Sequence, residues 1–240
     1  MNFGIIKESI IAVRKKESGK SEMINQLLFG VTFKIIEKKN KWSLVSSHLD
    51  NYIGWIENIN INNISEENFK KLNNKIFFSS KELKLINPEN NQIQLIPIGS
   101  QISSCNFLGY KLKFDKNIES VNPNEFINSP YLWGGKTKYG IDCSGFVQIV
   151  MRTKNLLIPR DAKDQANYGK KIPFELLKKN DLCFFGENGN DITHVGIYIG
   201  KNNIIHAFEK VRVDKINTKG ILNTNTSKIT HKLISSRRIT

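Results

Sequence analysis

The chain has 240 residues, a 39% hydrophobic share and a formal net charge of +14, which suits a soluble globular protein of one large domain, or of one larger domain with one or two small modules. No window approaches the ~18 uninterrupted apolar residues of a membrane span, and three sparse cysteines (Cys105, Cys143 and Cys183) make no disulfide framework. Lys outnumbers Arg by 30 to 6 and the basic residues are spread along the chain; Arg is the better residue for bidentate phosphate recognition, so no nucleic-acid partner is expected.

The apolar start, Phe3 to Ile6, is broken by Lys7 and Glu8 too early for a signal-peptide core, and no small-residue cleavage site follows. A cytoplasmic location is therefore expected, with the periplasm or cell envelope as the alternative if a leader has been removed. Short strands are predicted at Ile10–Val13, Gln26–Leu28, Val31–Ile36, Trp42–Val45 and Tyr52–Ile56, separated by the polar stretch Lys15–Lys20 and the turn at Gly30. That spacing predicts a small β-barrel. Val13-Arg14, Ser21-Glu22-Met23 through Phe29-Gly30, Trp42, and Tyr52-Ile53-Gly54-Trp55-Ile56 resemble a bacterial SH3-like domain over residues 1–59.

Residues 60–116 open polar, and Ser65 ahead of Glu66 and Glu67 marks a short helix start. β-type runs return at Ile76–Phe78, Leu83–Ile86 and Gln94–Gly99, with the turn cluster Asn87–Asn91 between the last two. This stretch is read as a second, abbreviated SH3-like barrel or a β linker. The character changes near Val121–Phe126, and residues 117–240 are read as the catalytic domain. There a helix from Cys143 to about Arg152 is followed by strands at Leu182–Phe185, His194–Ile199 and Ile204–Phe208, an α+β arrangement.

Gly140 breaks the chain just before Asp142-Cys143-Ser144-Gly145, and Phe146, Val147, Val150 and Met151 then recur at helical spacing. Cys143 is thereby expected at a helix N-terminus, where unpaired amides and the helix dipole favour an anion. With a protonated His nearby such a site lowers a thiol pKa, and backbone N–H groups there can hold an oxyanion. Cys105 and Cys183, set among apolar neighbours, are expected to be inert and buried. The base candidate is His194. His206 lies beyond the turn Lys201-Asn202-Asn203, so a hairpin can bring both imidazoles to one face, with His206 orienting His194. His48 and His231 have no comparable setting and are expected at the surface. A zinc site from Cys143, Cys183, His194 and His206 is disfavoured by the absence of paired ligands at zinc spacing, and no cofactor or metal is expected.

Tyr131-Leu132-Trp133-Gly134-Gly135, Asp142-Cys143-Ser144-Gly145-Phe146, His194-Val195-Gly196-Ile197-Tyr198 and Ile205-His206-Ala207 together resemble the NlpC family of cell-wall peptidases. The resemblance implies a papain-like NlpC-type fold with Cys143 as nucleophile, His194 as base and His206 as orienter. It also implies cleavage of peptidoglycan-derived peptides at the γ-D-glutamyl–diamino acid bond. With an SH3-like domain ahead, the arrangement resembles the endopeptidases that take free muropeptides with an unblocked N-terminal L-Ala. By motif position, Tyr131, Asp142 and Ser144, with Glu22 and Tyr52 of the SH3-like part, match residues that bind the substrate's amino end. Arg160-Asp161 matches the family's Pro-Arg-Asp element and is counted with the substrate contacts, while Ala162 stands where some relatives carry Ser. The expected partner is a muropeptide, met by a monomer without membrane insertion.

Overall fold

The computed structural model describes residues 2–112, 119–187, 191–224 and 226–240. The chain divides into two compact units, Met1–Val121 with Arg152–Leu157, and Asn122–Met151 with Ile158–Thr240. The expected break between residues 116 and 117, and the end of the β-type stretch at Phe114, lie outside the described residues.

In the first unit, β1 (Asn2–Ile5), β2 (Ile10–Arg14), β3 (Met23–Leu28), β4 (Thr32–Lys39), β5 (Trp42–Ser47), β6 (Ile53–Glu57) and β7 (Asn62–Ile64) form one antiparallel sheet, in the order β3-β2-β6-β5-β4-β1-β7. It is the expected small barrel, with two strands, β1 and β7, that the sequence pattern did not single out. β1 pairs with β4 and β7, and its residues Phe3 and Ile5 are buried. The alternation is plain in β2, where Ile11 and Val13 point inward to Leu27, Phe33, Val45 and Ile56.

Helix α1 (Glu66–Asn74) begins where expected: Ser65 accepts a hydrogen bond from the Asn68 amide at 3.1 Å, and Glu66 and Glu67 lie in the first turn. Its buried Phe69 and Leu72 form the inner face. β8 (Leu83–Ile86) and β9 (Ile93–Ile96) make a two-stranded hairpin. β9 stops at Pro97, which has no N–H for a ladder. Ile76–Phe78 does not form the expected strand. Phe78 makes a single bridge to Gln101 and packs into the barrel core, while Phe77 packs on a second cluster around Phe29, Ile96 and Tyr110. Consecutive aromatics serving two cores leave no ladder edge.

The second unit holds β10 (Lys136–Thr137), β11 (Gly140–Ile141), α2 (Cys143–Thr153), α3 (Ala162–Gln165), β12 (Lys170–Lys171), β13 (Leu182–Gly186), β14 (Ile192–Gly200), β15 (Asn203–Phe208), β16 (Lys210–Asn217), β17 (Gly220–Leu222) and β18 (Ile229–Arg238). The main sheet runs β12-β18-β13-β14-β15-β16-β17, and a further pairing of β17 with β18 closes it. Every residue of α2 from Cys143 to Met151 is buried. A helix so enclosed is held by packing, and Phe146 meets Phe126 edge to face at 5.6 Å. The expected hairpin is present: Gly200 pairs with Asn203 across Lys201 and Asn202, both at positive φ (52° and 55°). Such a turn matches the twist of the strands it joins.

Candidate active site

Cys143 is the first residue of α2. The preceding Asp142 caps the helix, its Oδ1 accepting from the Gly145 amide at 2.7 Å and its Oδ2 from the Gly134 amide at 2.8 Å. Arg160 closes on the same carboxylate, Nη2 to Oδ2 at 2.5 Å and Nη1 to Oδ1 at 3.0 Å, and donates to Ser144 Oγ at 2.7 Å. Asp142 and Arg160 are 4% and 2% exposed, so this is a buried, bidentate pair. Gly145 is required: a Cβ there would stand 2.3 Å from the Gly135 carbonyl oxygen. The Gly134-Gly135 and Ser144-Gly145 motifs are thus the two sides of one close backbone approach.

Tyr131 runs beside β11, bridging to Ile141, and its amide donates to the Glu209 carbonyl at 2.9 Å. Tyr131 is 37% exposed. Burial first, then the proximity of Cys143 and Asp142, push its phenol pKa up. Asp161 is exposed at the N-cap of α3, without a side-chain capping bond. Gln165, which the sequence reading passed over, is fully buried and donates to the Ser144 and Pro159 carbonyls at 3.1 and 2.8 Å. It ties the Pro-Arg-Asp element to the start of α2.

The two imidazoles meet as expected. His194 Nε2 and His206 Nδ1 are 2.8 Å apart, and both residues are buried. His206 stands opposite Gly196 in the β14–β15 ladder, so His194 is its diagonal neighbour on one face. A Cβ on Gly196 would come within 2.9 Å of His206 Cβ and 2.8 Å of Ile204 Cδ1, so only glycine leaves His206 its place.

His231, expected at the surface, is half-buried. Its ring stacks on His194 at 4.3 Å between centroids and 29° between planes, with Phe208 and Phe185 edge-on at 4.8 and 6.3 Å. It lies on β18, which pairs with β17 to close the sheet over this face. His48 is also part-buried, edge-on to Phe69 at 5.2 Å. A further residue without an assignment from sequence is Asp214, 1% exposed on β16, whose Oδ2 lies 3.1 Å from His206 Nε2. In Val211-Arg212-Val213-Asp214 the alternation of apolar and charged residues points Asp214 to solvent, and that pattern hid it.

Electrostatics oppose a pre-formed ion pair. Burial pushes the Cys143 thiol up to about 12, and Asp142 adds to the rise; the backbone N–H groups of Val195 and Ser144 and the Arg160 charge pull the other way. Burial holds His194 well below its ordinary value, with His206 and His231 adding to the effect. The lowered thiol pKa expected from the helix terminus is opposed here by desolvation, which favours the neutral thiol and the neutral imidazole. All three cysteines are free and buried, and burial likewise raises Cys105 and Cys183 to about 12. Among the described residues, no group of three or more His, Cys, Asp or Glu is arranged to hold a metal ion.

The NlpC/P60 family profile matches residues 128–230, spanning Tyr131 through His206 and Asp214. A probable endopeptidase NlpC homolog of Haemophilus influenzae is 38% identical over 130 residues, covering 50% of this chain and 68% of that protein. The chain belongs to the NlpC/P60 family. A second profile, the bacterial dipeptidyl-peptidase Sh3 domain, matches residues 13–60. A gamma-D-glutamyl-L-lysine dipeptidyl-peptidase of Bacillus subtilis is 44% identical over 84 residues, 34% of this chain and 28% of that protein. That protein and a gamma-D-glutamyl-L-lysine dipeptidyl-peptidase of Bacillus cereus are each covered over less than a third of their length. A crystal structure of a NlpC/P60 family protein from Bacillus cereus shares the fold, with a TM-score of 0.78, 99% of each chain covered and 19% identity. The fold is thus an N-terminal SH3-type β-barrel and an NlpC/P60 catalytic domain.

The remaining assigned residues belong to the SH3 part. Glu22 precedes β3, exposed, and pairs with Lys15 at 3.1 Å. Tyr52 precedes β6, part-buried, and its amide donates to Asp50 Oδ1 at 3.2 Å.

Proposed function

We propose that this NlpC/P60 protein is a cysteine endopeptidase that hydrolyses the γ-D-glutamyl–diamino acid bond of free peptidoglycan peptides with an unblocked N-terminal L-Ala. The carrying observation is Cys143 at the capped start of α2 beside the Val195 amide, next in sequence to His194, whose Nε2 is engaged by His206. The substrate class is supported by the dipeptidyl-peptidase Sh3 match and by the name of the Bacillus subtilis relative.

In this reading His194 Nδ1 takes the thiol proton as Sγ attacks the γ-carbonyl carbon. Backbone N–H groups at the helix start hold the oxyanion. Collapse of the tetrahedral intermediate breaks the C–N bond, and the proton passes from His194 to the leaving amine. Water, deprotonated by His194, then hydrolyses the thioester and frees Cys143. Burial favours the neutral thiol and imidazole, so transfer of the proton to His194 is coupled to attack. Tyr131, Asp142 and Ser144, flanking Cys143, contact the amino end, with Asp161 as a further contact. Arg160 acts through Asp142. Recycling of free peptides corresponds to a cytoplasmic monomer.

The test is release of L-Ala-D-Glu from L-Ala-γ-D-Glu-diaminopimelate and L-Ala-γ-D-Glu-L-Lys, compared with N-acetylated versions. Hydrolysis confined to the free-amine peptides, lost in Cys143→Ala, is expected; no release from them sinks the proposal. A second reading, hydrolysis of intact wall peptides, is favoured by the net charge of +14 and by 46% identity over 78 residues to the Escherichia coli murein DD-endopeptidase MepS/murein LD-carboxypeptidase. Release of soluble fragments from purified sacculi would select it.

A further inference from the structure

The fully buried His206 has one partner on each ring nitrogen: His194 Nε2 on Nδ1 at 2.8 Å, and Asp214 Oδ2 on Nε2 at 3.1 Å. Asp214 sits on the strand beyond His206, whose direct cross-strand partner is Arg212, so Asp214 is the diagonal neighbour on the same face. Its other oxygen is saturated. Oδ1 accepts from the Thr224 amide and hydroxyl, each at 2.9 Å, and from Arg212 Nη2 at 3.0 Å. Arg212 Nε also lies 2.7 Å from Oδ2 as an ion pair. The carboxylate is therefore clamped with Oδ2 facing the imidazole. Burial favours the neutral acid, but the hydrogen bonds from His206, Thr224 and Arg212 outweigh it and hold the group ionised.

An ionised carboxylate only accepts, so the proton of His206 must be on Nε2. Burial keeps His206 neutral, with Asp214 pulling the other way, so its Nδ1 has a lone pair and no proton. The 2.8 Å contact is then a hydrogen bond donated by His194 Nε2. That leaves Nδ1 of His194 as its only basic nitrogen. The chain needs no rearrangement when His194 gains a second proton on Nδ1, because its Nε2–H already points at His206.

We propose that Asp214 is a positioning residue: held by Arg212 and Thr224, it fixes the tautomers of His206 and, through it, of His194, so that His194 Nδ1 is free to take the Cys143 proton. This rests on the reading of His194 as base. Asp214→Asn keeps the shape but inverts the polarity. Its carbonyl oxygen is drawn to the three donors at the Oδ1 position, which turns the NH₂ toward His206. His206 must then carry its proton on Nδ1 and donate to His194 Nε2, moving the His194 proton onto Nδ1. A misplaced tautomer of this kind costs up to about 10⁴-fold in kcat. We expect kcat to fall about 10³-fold with KM little changed, within the range such a wrong tautomer produces.

The direct readout is ¹⁵N NMR of the histidine ring nitrogens in the full chain with Cys143→Ala, which needs no substrate. Protonated Nε2 on both His194 and His206, exchanged for protonated Nδ1 on both in the Asp214→Asn background, is expected. Protonated Nδ1 on His206 in the unaltered site would overturn the proposal without any Asp214 variant having to fold. A folded Asp214→Asn protein with unchanged tautomers and an unchanged pH profile of Cys143 alkylation by iodoacetamide would also overturn it. If His194→Ala leaves both that alkylation profile and peptide hydrolysis unaltered, the base assignment itself fails, whatever Asp214 does.

Discussion

The Asp142–Arg160 pair determines how firmly the nucleophile's turn is held, and a double-mutant cycle tests it. Both residues are almost fully buried, and two contacts at 2.5 and 3.0 Å join them. Removing one partner of such a pair leaves a buried charge and costs about 3–5 kcal/mol. In Arg160→Met the orphaned carboxylate still accepts from the Gly134 and Gly145 amides at 2.8 and 2.7 Å, so the loss is expected near the low end, about 3 kcal/mol. In Asp142→Asn the cap acceptor remains but the guanidinium loses the carboxylate it pairs with, and about 4 kcal/mol is expected. The double variant buries no lone charge and is expected to cost no more than the worse single one. The coupling energy is then about 3 kcal/mol, at the upper end of measured pairs in contact. Urea unfolding of the four proteins, followed by circular dichroism and intrinsic fluorescence, gives the four corners. Costs that add to within about 0.5 kcal/mol would mean the pair contributes nothing of its own and would refute the reasoning. Because Gly145 N–H to Asp142 fixes the first turn, both single variants should also slow peptide hydrolysis more than they weaken KM.

All four histidines, His48, His194, His206 and His231, have their pKa values lowered, chiefly by burial. The unfolded chain therefore takes up protons first as pH falls, so stability is lost below about pH 6.5 at about 1.4 kcal/mol per pH unit per histidine, until each folded-state value is passed. For His231 that value is about 4. Urea midpoints from pH 7.5 to 4.5 should fall steadily, and a flat profile would contradict the burial of these rings. Gly196→Ala should cost about 1–3 kcal/mol through overpacking against Ile204 and His206 and should lower kcat more than it raises KM; full activity in steady-state kinetics would dismiss the steric reading. His231→Phe keeps a ring against His194 but removes its repulsion on a developing imidazolium, so the acid limb of kcat/KM should move to higher pH. An unmoved limb would leave burial as the whole cause of the His194 shift.

Local signals made half of the candidate site readable. A cap residue, a glycine three positions on and helical apolar spacing put Cys143 at the head of α2. A two-residue turn between β-branched runs brought His194 and His206 to one face. Each signal lies within a dozen or so residues of chain, where backbone geometry alone decides which side chains are neighbours. The barrel of the first unit was legible for the same reason, since its strands alternate and its turns carry their marks. β1 was not, because Phe3-Gly4-Ile5-Ile6 gives no period-two alternation and is a strand only through its partners β4 and β7. Ile76–Phe78 failed in the opposite way: β propensity was high, but two separate cores claimed adjacent rings.

The residues that govern protonation were hidden because closure of the second sheet, and not local pattern, decides their surroundings. His231 reaches His194 only once β18 has paired with both β13 and β17. Asp214 reads as solvent-facing in its own strand, yet it becomes the carboxylate behind His206 because β16 lies next to β15. The same enclosure works against the electrostatic expectation at Cys143. A helix terminus offers an anion at most about 2 kcal/mol in partly buried settings, whereas desolvating a lone thiolate costs several. The sequence feature that marks the nucleophile is therefore insufficient to ionise it. Ionisation must be coupled to the imidazole pair, and in the proposed arrangement the direction in which that pair accepts a proton is fixed by the Asp214 carboxylate behind it, held by Arg212 and Thr224.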